Sequence, residues 1–332
     1  MNPPKCDEYN SYINFLVAAQ RAFSAVEAAR SHPESDNPPA HDAYTRLLQQ
    51  LPPDSEALWT EVQPCIDRTK GLLVIDDTTL DKPYASQMAL VSRHWSGKHH
   101  AVVQGINLVS LVWSDGDACL PCDYRIYNKA QDGLSKNDHF RAMLEQAQAR
   151  GFQPGLVAFD SWYSSLENLK LVRGFGWDWL TRLKSNRQVS LRPGEQQAVS
   201  DLDIPAAGLI VHLRGYGPIR VFRIAAPDGS TDYWATNRVQ MTEGERQVLA
   251  NRAWLVEVYH RALKQFTGIE RGQFRLECAQ RNHIGLAVRA YARLEYQRWA
   301  TRVSIFDCKL DIIRAAVRLY LAHPKYGLPS TA

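Results

Sequence analysis

Between Leu72 and Lys184 the apolar residues follow an order that few folds accept: strand, strand, strand, helix, strand, helix, strand. "LLVIDD" (72–77) is a short buried run, "HAVVQGINLVSLVW" is a long β-branched segment stopping at "SDGD", and "CDYRIYNK" alternates. "SKNDHFRAMLEQAQARG" then carries helical spacing, with Ser135 as its cap and Gly151 as its stop. A strand "GLVAFD" (155–160), a helix "SSLENLKLVRGFG" and a strand "WDWLTRLK" (177–184) complete the series. Because three strands precede the first helix, a simple alternating βα sheet is excluded and a mixed sheet is expected.

Helical spacing flanks this core. Tyr12, Phe15, Leu16, Ala19, Phe23 and Val26 recur at helix intervals before the loop-like "SHPESDNPPAHD". Residues 186–240 alternate with period two between Gly-Pro and Asp-Gly turns, which predicts a β-rich insertion. Thr242 and Glu245 form a capping-box pattern that opens one long helix through "RAWLVEVYHRALKQF" to Gly268. Further helices are expected at roughly 279–300 and 308–322. The reading divides the chain into a helical domain (1–68), a core (69–185), an insertion (186–240), a core helix (241–276) and a basic helical segment (277–332).

Length supports a large core, and no apolar run approaches the roughly 20 residues of a membrane span. With no signal-peptide pattern at Met1 and six scattered cysteines, a cytoplasmic protein with reduced thiols is expected. Cys119-Leu-Pro-Cys122 lacks the second pair that a structural zinc site needs. Lys98-His99-His100 reads as exposed loop rather than as a metal site. The net charge of +4 hides a gradient: residues 241–332 hold 15 Lys/Arg against 8 Asp/Glu, so an anionic partner is sought there first.

Acids at three places stand out. Asp76 and Asp77 follow one apolar strand, Asp160 follows another, and Glu257 lies within the long helix beside an expected core face of Trp254, Leu255, Val258, Ala262 and Leu263. Like charges at strand ends are either solvated or hold a cation. Phosphodiester cleavage gives them a reason to converge, since divalent ions held by carboxylates clamp the attacking and leaving oxygens.

The set "IDDTT", "VAFDSWY" and "WLVEVYHRALKQFTGIERGQ" resembles the DDE transposases of bacterial insertion sequences, specifically the cut-and-paste group with a Tyr-Arg-Glu-Lys helix motif. The resemblance spans about residues 70–275. It implies an RNase H-like mixed sheet flanked by helices, with the β-rich insertion between the second Asp and the Glu and helical segments at both ends. It also implies Asp77, Asp160 and Glu257 as catalytic metal ligands for two Mg²⁺ ions, with Mn²⁺ able to substitute. Lys264 matches the motif lysine; Ala250 and Ala253 stand where its Tyr and Arg are expected, with Arg252 adjacent to the latter.

DNA contacts are expected from Lys264, Arg261, Arg252, Trp254, Arg271, Arg275 and Trp162. The aromatics are the kind that stack on a base in relatives cutting through a hairpin. The implied partners are double-stranded DNA, as the element's terminal inverted repeats and as target, and a second copy of the chain on that DNA. The implied reaction is nicking at the element ends followed by strand transfer. An RNase H-like endonuclease without strand transfer and a domesticated non-catalytic DNA-binding protein remain as alternatives. Pleating directs Asp76 and Asp77 to opposite faces, so one of them is the ligand; the family pattern selects Asp77.

Overall fold

A computed structural model describes residues 6–33, 38–96, 100–192, 194–225 and 229–326. Lys98 and His99 lie outside the described residues. In chain order the elements are α1 (Cys6–Ala18), α2 (Ala25–Arg30), α3 (His41–Gln50), α4 (Glu56–Val62), β1 (Leu72–Asp81), β2 (Ser92–Ser96), β3 (Ala101–Ser114) and β4 (Cys119–Tyr127). Then come α5 (Lys129–Asp132), α6 (Lys136–Ala149), β5 (Leu156–Phe159), α7 (Leu166–Gly174) and β6 (Trp179–Leu183). β7 (Gln188–Ser190), β8 (Gln196–Ala198), β9 (Leu209–Leu213), β10 (Gly217–Ala225) and β11 (Thr231–Thr236) form the insertion, and α8 (Glu243–Ala253), α9 (Leu255–Phe266), α10 (Glu277–Thr301) and α11 (Ile305–Ala322) follow.

The chain divides into two units, one of residues 54–86 and 90–261 and one of residues 1–53, 87–89 and 262–332. The first contains an eleven-stranded mixed sheet, ordered β2-β3-β1-β5-β6-β11-β10-β9-β7-β8, with β4 also on β3. Its centre is the expected one: β1 runs antiparallel to β3 and parallel to β5, and β5 runs parallel to β6. The insertion extends this sheet, because β11 pairs antiparallel with β6. Leu73, Ile75, Leu156, Val157 and Leu180 are fully buried, which explains why these strands read as continuous apolar runs. Helices α4, α6, α7 and α8 pack against the strands. α6 opens with the Ser135–Asp138 capping box and α8 with the Thr242–Glu245 box.

The second unit is helical and is assembled from both ends of the sequence. α10 packs on α1, α3 and α11. His283 explains part of its cohesion: its Nδ1 lies 3.0 Å from Tyr12 Oη and its Nε2 lies 3.2 Å from the Gly268 carbonyl oxygen. Gly268 has φ +65°, and a Cβ there would meet the Phe23 ring at 2.3 Å, so close packing as well as the turn demands glycine. Lys309 is buried in this unit, and its ammonium donates to the carbonyls of Val17, Ala19 and Phe266. These lie at and just past the C-terminal ends of α1 and α9, where unsatisfied carbonyls attract a cation.

The expected helical domain of residues 1–68 is thereby split: residues 1–53 group with 262–332, whereas α4 belongs to the sheet unit. The single helix expected from 242 to Gly268 is broken at Trp254. There the Glu257 N–H bonds the Trp254 carbonyl at 3.0 Å, a tighter turn than the α-helical one.

Candidate active site

Strand β1 does not end at its paired acids. It continues to Asp81 because β3 runs beside it, with Asp76 opposite Ser110 and Asp77 opposite Val109. β5 does end there. The last parallel pair is Ile75 with Phe159, so the next residues in line are Asp76 and Asp160. Residues in register on parallel strands direct their side chains to the same face, and neighbours along a strand direct theirs to opposite faces. Asp76 therefore shares a face with Asp160, and Asp77 does not.

The surroundings of the two adjacent acids follow from this. Asp77 is enclosed by donors: Asn107 Nδ2 at 2.8 Å, Lys136 Nζ at 2.7 Å and Tyr163 Oη at 2.8 Å. Burial alone would raise its pKa, but the Lys136 charge and the bonds from Asn107, Lys136 and Tyr163 outweigh it and hold the carboxyl below its ordinary value. The Tyr163 ring is fixed by stacking on Phe140, with centroids 5.3 Å apart.

Asp76 faces acids instead. Its pKa is pushed well above the carboxylate range by burial first, then by the charges of Asp77, Asp160 and Glu257. Glu257 approaches from α9, as does His260 one turn later, whose Nδ1 lies 3.8 Å from Asp76 Oδ2. One potential ligand atom from each of Asp76, Glu257 and His260 lies within 4.8 Å of the other two. Asp160 is also raised, by burial first and by the Asp77 charge, against the Trp162 N–H that bonds its Oδ1 at 2.8 Å. Its backbone is tied by Thr181 Oγ1, which donates to the Asp160 carbonyl at 3.1 Å.

Asp76 and Glu257 are thus brought together with His260, Asp160 bears on Asp76 through its charge, and the expected ligand Asp77 is bonded by Lys136, Asn107 and Tyr163. The register of β1 with β5 is the physical reason that Asp76, rather than Asp77, lies in line with Asp160. His260 was not anticipated, although its three-residue spacing from Glu257 places both on one helix face and was readable. The core face of α9 keeps the expected Ala262 and Leu263 but is otherwise shifted. Val256, Tyr259, His260 and Leu263 are buried, whereas Trp254 and Val258 are exposed.

The expected DNA-contacting residues fall into two sets. Trp162 is 57% exposed and Trp254 60%, and the ammonium groups of Lys136 and Lys184 lie 5.7 and 5.8 Å from the Trp162 ring centre. Arg252 and Arg261 are exposed in the sheet unit, Arg252 lying against Gly116 at the turn after β3. The residues in the helical unit have internal work. Lys264 pairs with Glu270 at 3.0 Å, and Arg271 donates to the Gln20 carbonyl at 3.0 Å beside the Phe23 ring. Arg275 is exposed, and its carbonyl accepts the Ala89 N–H at 3.0 Å. Arg281 and Arg298 pair with Glu277 and Glu295 on their own helix.

A family model described as "DDE superfamily endonuclease" matches residues 12–202. No curated protein matches the chain. Among solved structures, a piggyBac transposase in a synaptic complex with hairpin DNA is similar in fold, with a TM-score of 0.55 and 10% identity. The similarity covers 97% of this chain and 74% of that one.

Proposed function

The chain belongs to the DDE superfamily endonucleases, and from that premise we propose that it is a DNA transposase, nicking DNA at the ends of an insertion sequence and joining the freed 3′ hydroxyl to target DNA. The observation that carries the proposal is the gathering of acidic charge around Asp76, whose pKa is held well above its ordinary value by burial first and then by Asp77, Asp160 and Glu257, with Glu257 near enough to share a cation. Such repulsion is what a divalent cation relieves. The donor set, three carboxylates beside an imidazole, fits Mg²⁺ or Mn²⁺.

In this reading Asp76, Asp160 and Glu257 hold the metal, and Asp77 fixes the strand from behind through Lys136 and Tyr163. Bound divalent ions would supply charge stabilisation at the attacking and leaving oxygens and a more acidic water. The protein's own part is positional. The β1–β5 register fixes two carboxylates, α9 brings the third, and burial makes Asp76 give up a proton when a cation enters.

Trp162, Trp254, Arg252 and Arg261 are assigned to double-stranded DNA, the aromatics to bases and the arginines to phosphates. Lys264, Arg271 and Arg275 of the helical unit are assigned to DNA as well. Two ends and one site per chain call for a homodimer on DNA. The neighbour's synaptic complex with hairpin DNA supports a nucleic-acid substrate for this chain.

The test is incubation of linear DNA carrying the element's two ends with Mg²⁺ or Mn²⁺, followed by capture of a labelled 3′ end in a plasmid. Nicking by the wild type, lost in Asp76→Ala, Asp160→Ala and Glu257→Ala, is expected. Equal nicking by Asp76→Ala and wild type would sink the assignment. Nicking without capture would favour an endonuclease that lacks strand transfer.

A further inference from the structure

The DDE ligand set consists of carboxylates, yet the tightest group of donors in this site includes a nitrogen. His260 is 4% exposed on α9, three residues after Glu257 and on the same helix face. Its ring is directed at Asp76, with Nδ1 3.8 Å from Oδ2, and its ligand atom lies within 4.8 Å of those of Asp76 and Glu257. Two metal–ligand bonds of about 2.1 Å each nearly span that separation. No positively charged side chain is paired with Asp76 among the described residues, whereas Asp77 has Lys136.

We propose that His260 is a fourth protein ligand of the catalytic cation and that its nitrogen biases the site toward Mn²⁺ over Mg²⁺. The inference rests on the nuclease reading of the same site. Mg²⁺ demands near-ideal octahedral geometry, prefers oxygen and dehydrates reluctantly, so an imidazole in its coordination shell is unfavourable. Mn²⁺ shares the preference for carboxylate and water but lies on the transition-metal series, where nitrogen donors bind. A site of three carboxylates and one imidazole accommodates Mn²⁺ with all its protein donors and Mg²⁺ with the oxygens alone. The alternative role for His260 is a charged imidazolium paired with Asp76, which would leave the metal shell all oxygen.

The two roles separate without any activity measurement. The metal-free full-length chain is titrated with Mn²⁺ and with Mg²⁺ by calorimetry, and the Mn²⁺ form is read by pulsed electron paramagnetic resonance. In the wild type, a nitrogen coupling to Mn²⁺ is expected that changes when histidine is ¹⁵N-labelled. His260→Asn should abolish it, weaken Mn²⁺ binding by about tenfold or more, and leave Mg²⁺ binding little changed.

An all-oxygen Mn²⁺ signal in the wild type would overturn the proposal, as would a histidine coupling that survives in His260→Asn. The labelled wild-type spectrum does not depend on how well the variant folds. Binding abolished by Asp76→Ala but lacking nitrogen coupling would sink the His260 assignment alone. Absence of any divalent binding in the wild type would sink the nuclease reading with it.

Discussion

Lys136 Nζ stands 2.7 Å from Asp77 Oδ2, and both side chains are largely withdrawn from solvent, at 16% and 18% exposure. This pair gives two adjacent aspartates opposite electrostatic fates. Asp77 is stabilised as a carboxylate by its partners, while Asp76 is destabilised as one by burial and its acidic neighbours.

Opposite stability effects are therefore expected from the two substitutions. Asp77→Ala strands Lys136 and the Tyr163 hydroxyl and should cost about 1–3 kcal/mol. Asp76→Asn removes a repelled charge and should raise the melting temperature of the metal-free protein. Chemical and thermal denaturation with a chelator present measure both. Equal destabilisation by the two would contradict the division of roles.

The pH dependence follows with signs fixed by the two shifts. Asp76 has a folded pKa above its unfolded value, so its stability contribution is complete below the ordinary carboxylate range and is lost as pH rises through the raised value. Asp77 is depressed, so its contribution is present above the ordinary range and is lost as pH falls through its lowered value. Urea midpoints of the metal-free chain across pH should decline on the alkaline side of the carboxylate range less in Asp76→Asn than in wild type. Parallel curves would contradict the assigned environment.

Lys309→Met should destabilise the helical unit by about 1–3 kcal/mol, because three backbone carbonyls lose one shared donor. Hydrogen exchange would localise the loss to α1 and α11, and unchanged protection there would refute it.

DNA affinity should respond differently to the aromatic and the basic residues. Trp162→Ala is expected to weaken binding by about 1–3 kcal/mol, the worth of one stacked base, with the salt dependence preserved. Arg252→Gln and Arg261→Gln should each lower the slope of log affinity against log salt by about 1. Fluorescence anisotropy over a salt series reads both. A slope unaffected by either arginine would remove them from the interface.

The strand order and the caps at Ser135 and Thr242 were legible in the sequence, because period and capping chemistry are local. Strand β2 was not, since "SRHWS" is polar and gains its place only by pairing with the start of β3. The proposed assignment of Asp76 in place of Asp77 rests on the register of β1 against β5, a contact between residues more than eighty positions apart that no local pattern encodes. Within the segment read only as basic, Arg281 and Arg298 are paired on their own helix. His260 was legible only in part: its three-residue spacing from Glu257 puts both on one helix face, but nothing in the helix says that Asp76 stands beside it.

The helical unit joins residues 1–53 to 262–332, whereas the sheet unit is complete at Arg261. On a ribosome the two therefore mature on different schedules. Having emerged first, α1 to α3 lack their packing partner α10 until more than two hundred further residues have been made. The sheet is expected to close before them, and nascent chains arrested just past Arg261 should resist protease across the strands while remaining cleavable in α1. Truncation at the C-terminus should likewise be felt first at the opposite end of the chain.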